Sequence, residues 1–184
     1  MVLTKTPICN FGEKAKDFNL KSIDNKQISL KDIKGKNGTL VMFICNHCPY
    51  VKAIIKDLVH DVKFLEKLGI NSVGIMSNDV KNYPDDSFEN MISFSKVNNF
   101  SFPYLFDDTQ EVAKKYGAVC TPDFFGYNNN LELQYRGRLR ELKDLKPVNK
   151  GDSDLRLAMK MVAETGNGPK NQIPSMGCNI KWFK

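Results

Sequence analysis

No apolar run in this chain approaches the about 20 residues that a membrane-spanning helix needs, and the stretch Leu40 to Ile44 is far shorter. A helical membrane span is excluded, and no membrane partner is expected. Blocks of like charge are also missing. The 27 Lys and Arg are interleaved with 21 Asp and Glu, so the net charge of +6 and the pI of about 9.0 describe a solvated surface, not a nucleic-acid arm. Met1 to Phe11 holds no apolar stretch followed by a cleavage site, so the protein is expected to stay in the cytoplasm. Cysteine is scarce and odd in number, with Cys9, Cys120 and Cys178 scattered singly beside one close pair, Cys45 and Cys48. That excludes a secreted disulfide framework and favours reduced thiols with one working pair. With 41% hydrophobic and 26% charged residues, the 184 residues suit one well-buried core, a single domain over 1–184.

The most informative stretch is Thr39 to Leu58. An apolar run from Leu40 to Ile44 ends at Cys45, and beyond Cys48 the pattern changes to helical spacing, with Ile54, Ile55, Leu58, Val62, Leu65 and Leu68 on one face and Gly69 at the expected cap. A buried strand thus hands over to a helix with Cys45-Asn46-His47-Cys48 at the junction. The first turn of a helix has unpaired N–H groups and about half a positive charge, which favours a thiolate. Cys45 is expected to be the more reactive sulfur, with Cys48 attacking a mixed disulfide on it and His47 tilting the pair towards accepting electrons. Two other readings stay open. A Cys-x-x-Cys can be half of a zinc site, although no second close pair is present, and both sulfurs could be packed core thiols. No metal and no cofactor are expected.

In chain order, Phe18 to Leu30 reads as two short strands around Asp24-Asn25, a hairpin within residues 15–38 laid beside the core. The core spans 39–166. Ile70 to Met76 reads as a strand parallel to Leu40–Ile44, joined by a right-handed crossover. Ser87 to Phe100 reads as a helix, Phe102 to Phe106 as a strand, and Asp107 or Asp108 caps a helix ending at Tyr116-Gly117. Pro122 opens a strand that turns at Asn128 to Asn130 into Leu131 to Tyr135. A charged connection leads to a last helix marked by Leu155, Met159, Val162 and Ala163 and ending at Gly166. The tail, 167–184, shows neither helix nor strand periodicity, and Ile180, Trp182 and Phe183 are expected to cover apolar surface.

Four ordered segments, Cys45 to Val51, Thr121-Pro122-Asp-Phe-Phe125, Tyr135 to Arg138 and Gly177 to Trp182, resemble the thioredoxin-like superfamily, and more narrowly its peroxiredoxin-like, AhpC/TSA-related redoxin branch. The resemblance implies an α/β thioredoxin-like fold, a central mixed β-sheet flanked by helices, with an N-terminal β-hairpin extension and a C-terminal tail. It also implies a cis Thr121–Pro122 bond against Cys45 and Cys48, whose backbone binds an extended substrate segment. Departures qualify it. The peroxidatic cysteine of peroxiredoxins matches Cys48, but the positions of their orienting Thr and Pro are Cys45 and Val41 here, and their arginine falls at Thr121. Relative to thioredoxin, the buried acid is replaced by Thr39, which leaves Asp123 or His47 as the proton acceptor for Cys48.

The expected activity is thiol-disulfide oxidoreduction with protein or small-molecule thiols and disulfides, carried by Cys45, Cys48 and His47, with Thr121 and Pro122 docking the partner and Asn46, Cys120, Asp123 and Cys178 as accessory candidates. Cys120 is read as packing and Cys178 as a resolving or regulatory thiol if the tail brings it up. The alternatives are a thiol peroxidase and a non-catalytic binding module.

Overall fold

The computed structural model describes residues 2–184. A short strand β1 (Leu3–Lys5) is followed by the hairpin β2 (Asn19–Ser22) and β3 (Gln27–Ser29) and a one-turn helix α1 (Leu30–Ile33). Strand β4 (Gly38–Phe43) leads through the cysteine loop into α2 (Pro49–Lys67), β5 (Ile70–Met76), α3 (Phe88–Val97), β6 (Tyr104–Phe106) and α4 (Glu111–Tyr116). After these come β7 (Cys120–Thr121), β8 (Asp123–Asn128), β9 (Leu133–Tyr135), a small hairpin of β10 (Leu142–Lys143) and β11 (Lys146–Pro147), α5 (Asp154–Thr165) and β12 (Met176–Asn179).

Seven strands form the central mixed sheet in the order β3-β2-β6-β5-β4-β8-β9, with β4, β5 and β6 parallel and β8 antiparallel to β4. Every residue of β4 is buried, as a strand covered on both faces requires. Because side chains alternate along a strand, Leu40, Met42 and Ile44 face the core shared with α2 and α5, whereas Val41 and Phe43 face Val112, Ala113 and Tyr116 of α4. Full burial of one such aromatic or aliphatic side chain contributes about 1.5–3 kcal/mol. Helix α2 ends where the sequence pattern places its end, with Gly69 in the left-handed region at φ 77°.

The N-terminal hairpin is present and is joined to the central sheet. β2 pairs with β6, so the hairpin is the edge of the central sheet itself. Helix α1, unforeseen in the sequence reading, follows from a reciprocal cap in which Ser29 Oγ accepts from Asp32 N–H and the Asp32 carboxylate accepts from Ser29 N–H. Helix α4 starts two to three residues later than expected: Asp107 is no cap residue but reaches forward from the end of β6, its carboxylate accepting from Val112 and Ala113 N–H.

The tail departs most from expectation. β12 is a true strand, the middle of a separate three-stranded sheet β1-β12-β7, antiparallel to both neighbours. Beyond it Ile180 is buried, but Trp182 and Phe183 are 37% and 48% exposed and cover little. The segment is held by polar bonds instead: Gln110 Nε2 donates to the Lys181 carbonyl at 2.7 Å, and Phe183 N–H donates to Gln110 Oε1 at 2.8 Å.

Candidate functional site

The loop 44–48 leaves the C-terminal end of β4 beside the start of α2, which Pro49 opens with Cys48 as its cap residue. Cys48, not Cys45, therefore sits against the unpaired N–H groups of the helix, and Cys45 lies three residues ahead of that field. The cis Thr121–Pro122 bond is present, as the resemblance implies. It brings Thr121 against both cysteines: Cys45 Sγ lies 3.2 Å from Thr121 Oγ1, and Cys48 Sγ lies 3.1 Å from the Thr121 carbonyl, to which the thiol form donates. On the far side, Cys48 Sγ lies 2.8 Å from Cys178 Sγ on β12. All three cysteines are buried.

The electrostatics reverse the order expected from sequence. Cys48 is pushed down to about 5 by the hydrogen bond from the Cys45 thiol, which outweighs the cost of burial, with further help from the Cys178 thiol and from the N–H groups of Val51 and Cys178. Cys45 is pushed well above an ordinary cysteine by its burial and by the neighbouring Cys48. Cys178 is raised to about 12 by burial and by its contact with Cys48. The charge is favoured on the central sulfur because it interacts with a thiol on either side.

His47 is organised by a residue the sequence reading missed. Its Nδ1 lies 2.6 Å from Asp86 Oδ2, in the turn before α3. The other oxygen of this buried carboxylate accepts from Asn46 N–H at 2.8 Å and His47 N–H at 3.2 Å, and Asn78 Nδ2 donates to Oδ2 at 2.7 Å. Burial works to raise Asp86, but the bonds from His47 and Asn78 hold it below the usual carboxylate range. The hydrogen bond to Asp86 in turn raises His47. Asn46 is a positioning residue: its Oδ1 accepts from Tyr104 Oη at 2.9 Å and its Nδ2 donates to the Asp85 carbonyl at 3.2 Å. The only foretaste of Asp86 in the sequence is an acidic pair ahead of a helix.

Asp123, the other candidate proton acceptor, is committed elsewhere. It is fully buried, receives Arg136 Nη2 at 3.0 Å and Val119 N–H at 3.3 Å, and is raised to about 6 by burial despite the guanidinium. Arg136, within the Tyr135–Arg138 segment, also donates to the Gly117 carbonyl at 2.8 Å and so ties the loop before β7 to β9. Cys120 packs in the core with its thiol 3.6 Å from the Pro122 carbonyl, and burial drives it far up.

The backbone expected to receive a substrate segment is already paired. Cys178 sits opposite Thr121, and Asn179 opposite Cys120, in the antiparallel β7/β12 register. The Pro122 carbonyl accepts from Ser175 Oγ at 2.8 Å. Gly177 permits this approach: a Cβ there would stand 2.0 Å from the Thr121 carbonyl oxygen. Beside Pro122 a groove of about 430 Å³ stays open, lined by Tyr50, Ile54, Leu139 and Met176 with Lys5 and Arg138 at its margin. Sulfur, imidazole and carboxylate atoms of Cys45, His47 and Asp86 lie within 4.8 Å of one another, a donor set that could hold a metal ion. Among the described residues no helix is long and apolar enough to cross a membrane.

Residues 11–142 match the model of the AhpC/TSA family. A candidate peroxiredoxin of Mycobacterium tuberculosis is 26% identical over 124 residues, 67% of this chain and 74% of that protein. The thiol-disulfide oxidoreductase ResA of Bacillus thuringiensis is 28% identical over 122 residues, 66% of each chain. The crystal structure of an uncharacterized conserved protein from Geobacillus kaustophilus is 38% identical, superposes with a TM-score of 0.94, and covers 100% of this chain and 97% of that one. The fold is thioredoxin-like.

Proposed function

The chain belongs to the AhpC/TSA family, and from that membership and the setting of its cysteines we propose that it is a thiol-disulfide oxidoreductase working through Cys45 and Cys48. One observation carries the reading: Cys48 caps α2 with Cys45 three residues ahead of it, and the cis Thr121–Pro122 loop lies against both sulfurs, the setting of a dithiol pair. The Cys48 thiolate attacks one sulfur of a partner disulfide, and the other partner sulfur leaves as a thiolate. Cys45 passes its proton to that leaving thiolate, attacks the Cys48 sulfur, and closes the Cys45–Cys48 disulfide as the second partner sulfur departs. Two electrons move from the pair to the partner, and the reverse sequence oxidises a partner dithiol.

Asp86 favours the charged form of His47, which adds positive potential beside Cys48 and Cys45 when protonated. Favouring the reduced thiolate raises the potential of the couple, so the pair is poised above the about −270 mV of thioredoxin. Partners are protein or small-molecule thiols and disulfides that enter at the groove beside Pro122, because the Thr121 edge is occupied. A cytoplasmic location suits five cysteines kept as thiols. Relatives named peroxiredoxin and thiol-disulfide oxidoreductase support redox use of the site.

Equilibration in glutathione buffers, followed by acid quench, alkylation and peptide mass spectrometry, tests the reading. A reversible two-electron loss of the Cys45 and Cys48 thiols is expected. Persistence of both thiols at every poise would refute it. A second reading, thiol peroxidase, is favoured by the lowered Cys48, which matches the peroxidatic position. It requires attack of the Cys48 thiolate on hydrogen peroxide, breaking the O–O bond to give a sulfenate and water. Stopped-flow oxidation by peroxide separates the two: slow sulfenic acid formation beside fast disulfide exchange leaves the oxidoreductase.

A further inference from the structure

The third sulfur of the centre comes from the far end of the chain. Cys178 is 130 residues from Cys48 in sequence, yet the two Sγ atoms lie 2.8 Å apart, about 0.8 Å beyond a disulfide bond of ~2.05 Å. The contact is built and not incidental. β12 is clamped between β1 and β7, with Cys178 in register with Leu3 on one side and Thr121 on the other. Its approach to Thr121 depends on Gly177. Ser175 is fixed from both ends, its N–H donating to Thr6 Oγ1 at 3.0 Å and its Oγ to the Pro122 carbonyl at 2.8 Å. After the strand, Lys181 N–H donates to Asn78 Oδ1 at 2.8 Å, and Asn78 also donates to Asp86, so the tail and the His47 cluster share a hydrogen-bond partner. The chain's own cysteine-bearing strand thus lies along the backbone edge where an extended partner segment was expected.

We propose that Cys178 is a third redox-active thiol: it attacks Cys48 in the Cys45–Cys48 disulfide, the Cys45–Cys48 bond breaks, and a Cys48–Cys178 disulfide forms as Cys45 is released. This rests on the dithiol couple proposed above. The exchange needs no external oxidant, since one disulfide is consumed and one formed, and the proton lost by Cys178 is taken up by the leaving Cys45 sulfur. Cys48 is the shared atom and passes between two partners without solvent entering. The consequence is a second oxidised state in which Cys45 is a thiol while Cys48 is masked. In that state the protein stores the two electron equivalents of oxidation on its tail strand.

The experiment uses the full chain. Wild type and Cys45→Ser are reduced, exposed to oxidised glutathione, quenched in acid, alkylated and digested with trypsin. In Cys45→Ser the Cys48 thiolate takes one glutathione sulfur and expels the other. Cys178 then displaces the adduct, leaving the peptide 37–52 joined to the peptide 171–181. Glutathione on Cys48 should be at least about tenfold higher in Cys45→Ser/Cys178→Ser than in Cys45→Ser. Wild type, which needs no substitution to fold, should show the same joined peptides in part of its oxidised pool. The proposal is overturned if wild type closes Cys45–Cys48 while Cys178 is alkylated at every poise and Cys45→Ser keeps its glutathione adduct; the oxidoreductase reading then stands alone. If wild type forms no disulfide at Cys45 or Cys48, both fall together.

Discussion

The sulfur centre has two sides that are built differently. One is the β4–α2 side, a strand, a loop and a helix contiguous over residues 38–67, which supplies Cys45, Cys48 and the helix field. The other is the tail side, where β12 meets β7 and delivers Cys178 across 130 residues. The first side determines where the negative charge resides, because the neighbouring Cys45 is the largest influence lowering Cys48 and the Val51 N–H of the helix adds to it. The second determines what Cys48 can touch, and it closes the edge at which an outside strand would pair. Local sequence can specify a reactive atom, whereas only the assembled fold can specify its partners.

The sharpest division between the two sides is chemical. Cys48→Ser should lower disulfide-exchange turnover by at least about 10³-fold, since removal of a nucleophile leaves only binding and local field behind. Cys9→Ser, half-buried and away from the centre, should leave turnover unchanged. A rate assay on a small aromatic disulfide reads both. Next in size is stability. Phe124→Ala, in fully buried β8 beside β4, should cost about 3–5 kcal/mol in a denaturant titration of the reduced protein. Gly177→Ala on the tail side should cost less, about 1–3 kcal/mol, because its clash with the Thr121 carbonyl disturbs the two-residue β7/β12 pairing and leaves the central sheet packed. If Gly177→Ala costs more than Phe124→Ala, the tail is a core element and the comparison breaks.

Comparable in size to the Gly177 effect is that of the Asp86 cluster, which joins the two sides through Asn78. Because His47 is raised, its contribution is complete below the ordinary histidine value of about 6.5 and is lost as pH rises through its higher folded value. Because Asp86 is lowered, its contribution is present above the ordinary value of about 3.9 and is lost as pH falls through the lower folded one. The stability difference between wild type and Asp86→Asn should therefore peak between pH ~4 and ~6.5, at about 1–3 kcal/mol, and shrink on both sides. Chemical denaturation at a series of pH values reads it, and a difference independent of pH would remove His47 from the cluster's electrostatics.

How far the sequence was readable follows the same division. The alternation in Leu40 to Ile44, the spacing from Ile54 to Leu68 and the stop at Gly69 are short-range patterns, and the β4-α2-β5 unit stands where they place it. The Thr121-Pro122 loop was readable through its family resemblance and is cis. Met176 to Asn179 has no such pattern: Gly177 and Asn179 are weak strand residues, and the segment is a strand because β1 and β7 flank it. Asp86 lies just ahead of the helix read from Ser87, and nothing local announces that its carboxylate will gather Asn46, His47 and Asn78. The sequence reading made Cys45 the stronger nucleophile by counting the whole loop as the helix start. The helix begins at Pro49, so Cys48 and not Cys45 caps it, and the neighbouring Cys45 and Cys178 thiols favour the charge there.

The claim on which the account depends most is that charge, and an NMR titration of the reduced protein labelled at cysteine Cβ reads it without any need for reagent to enter the site. The account predicts a step for Cys48 at about pH 5, with Cys45 and Cys178 protonated through the range where ordinary cysteines ionise. A Cys45 that ionises first, or a Cys48 that titrates near the ordinary value of about 8.5, would contradict it.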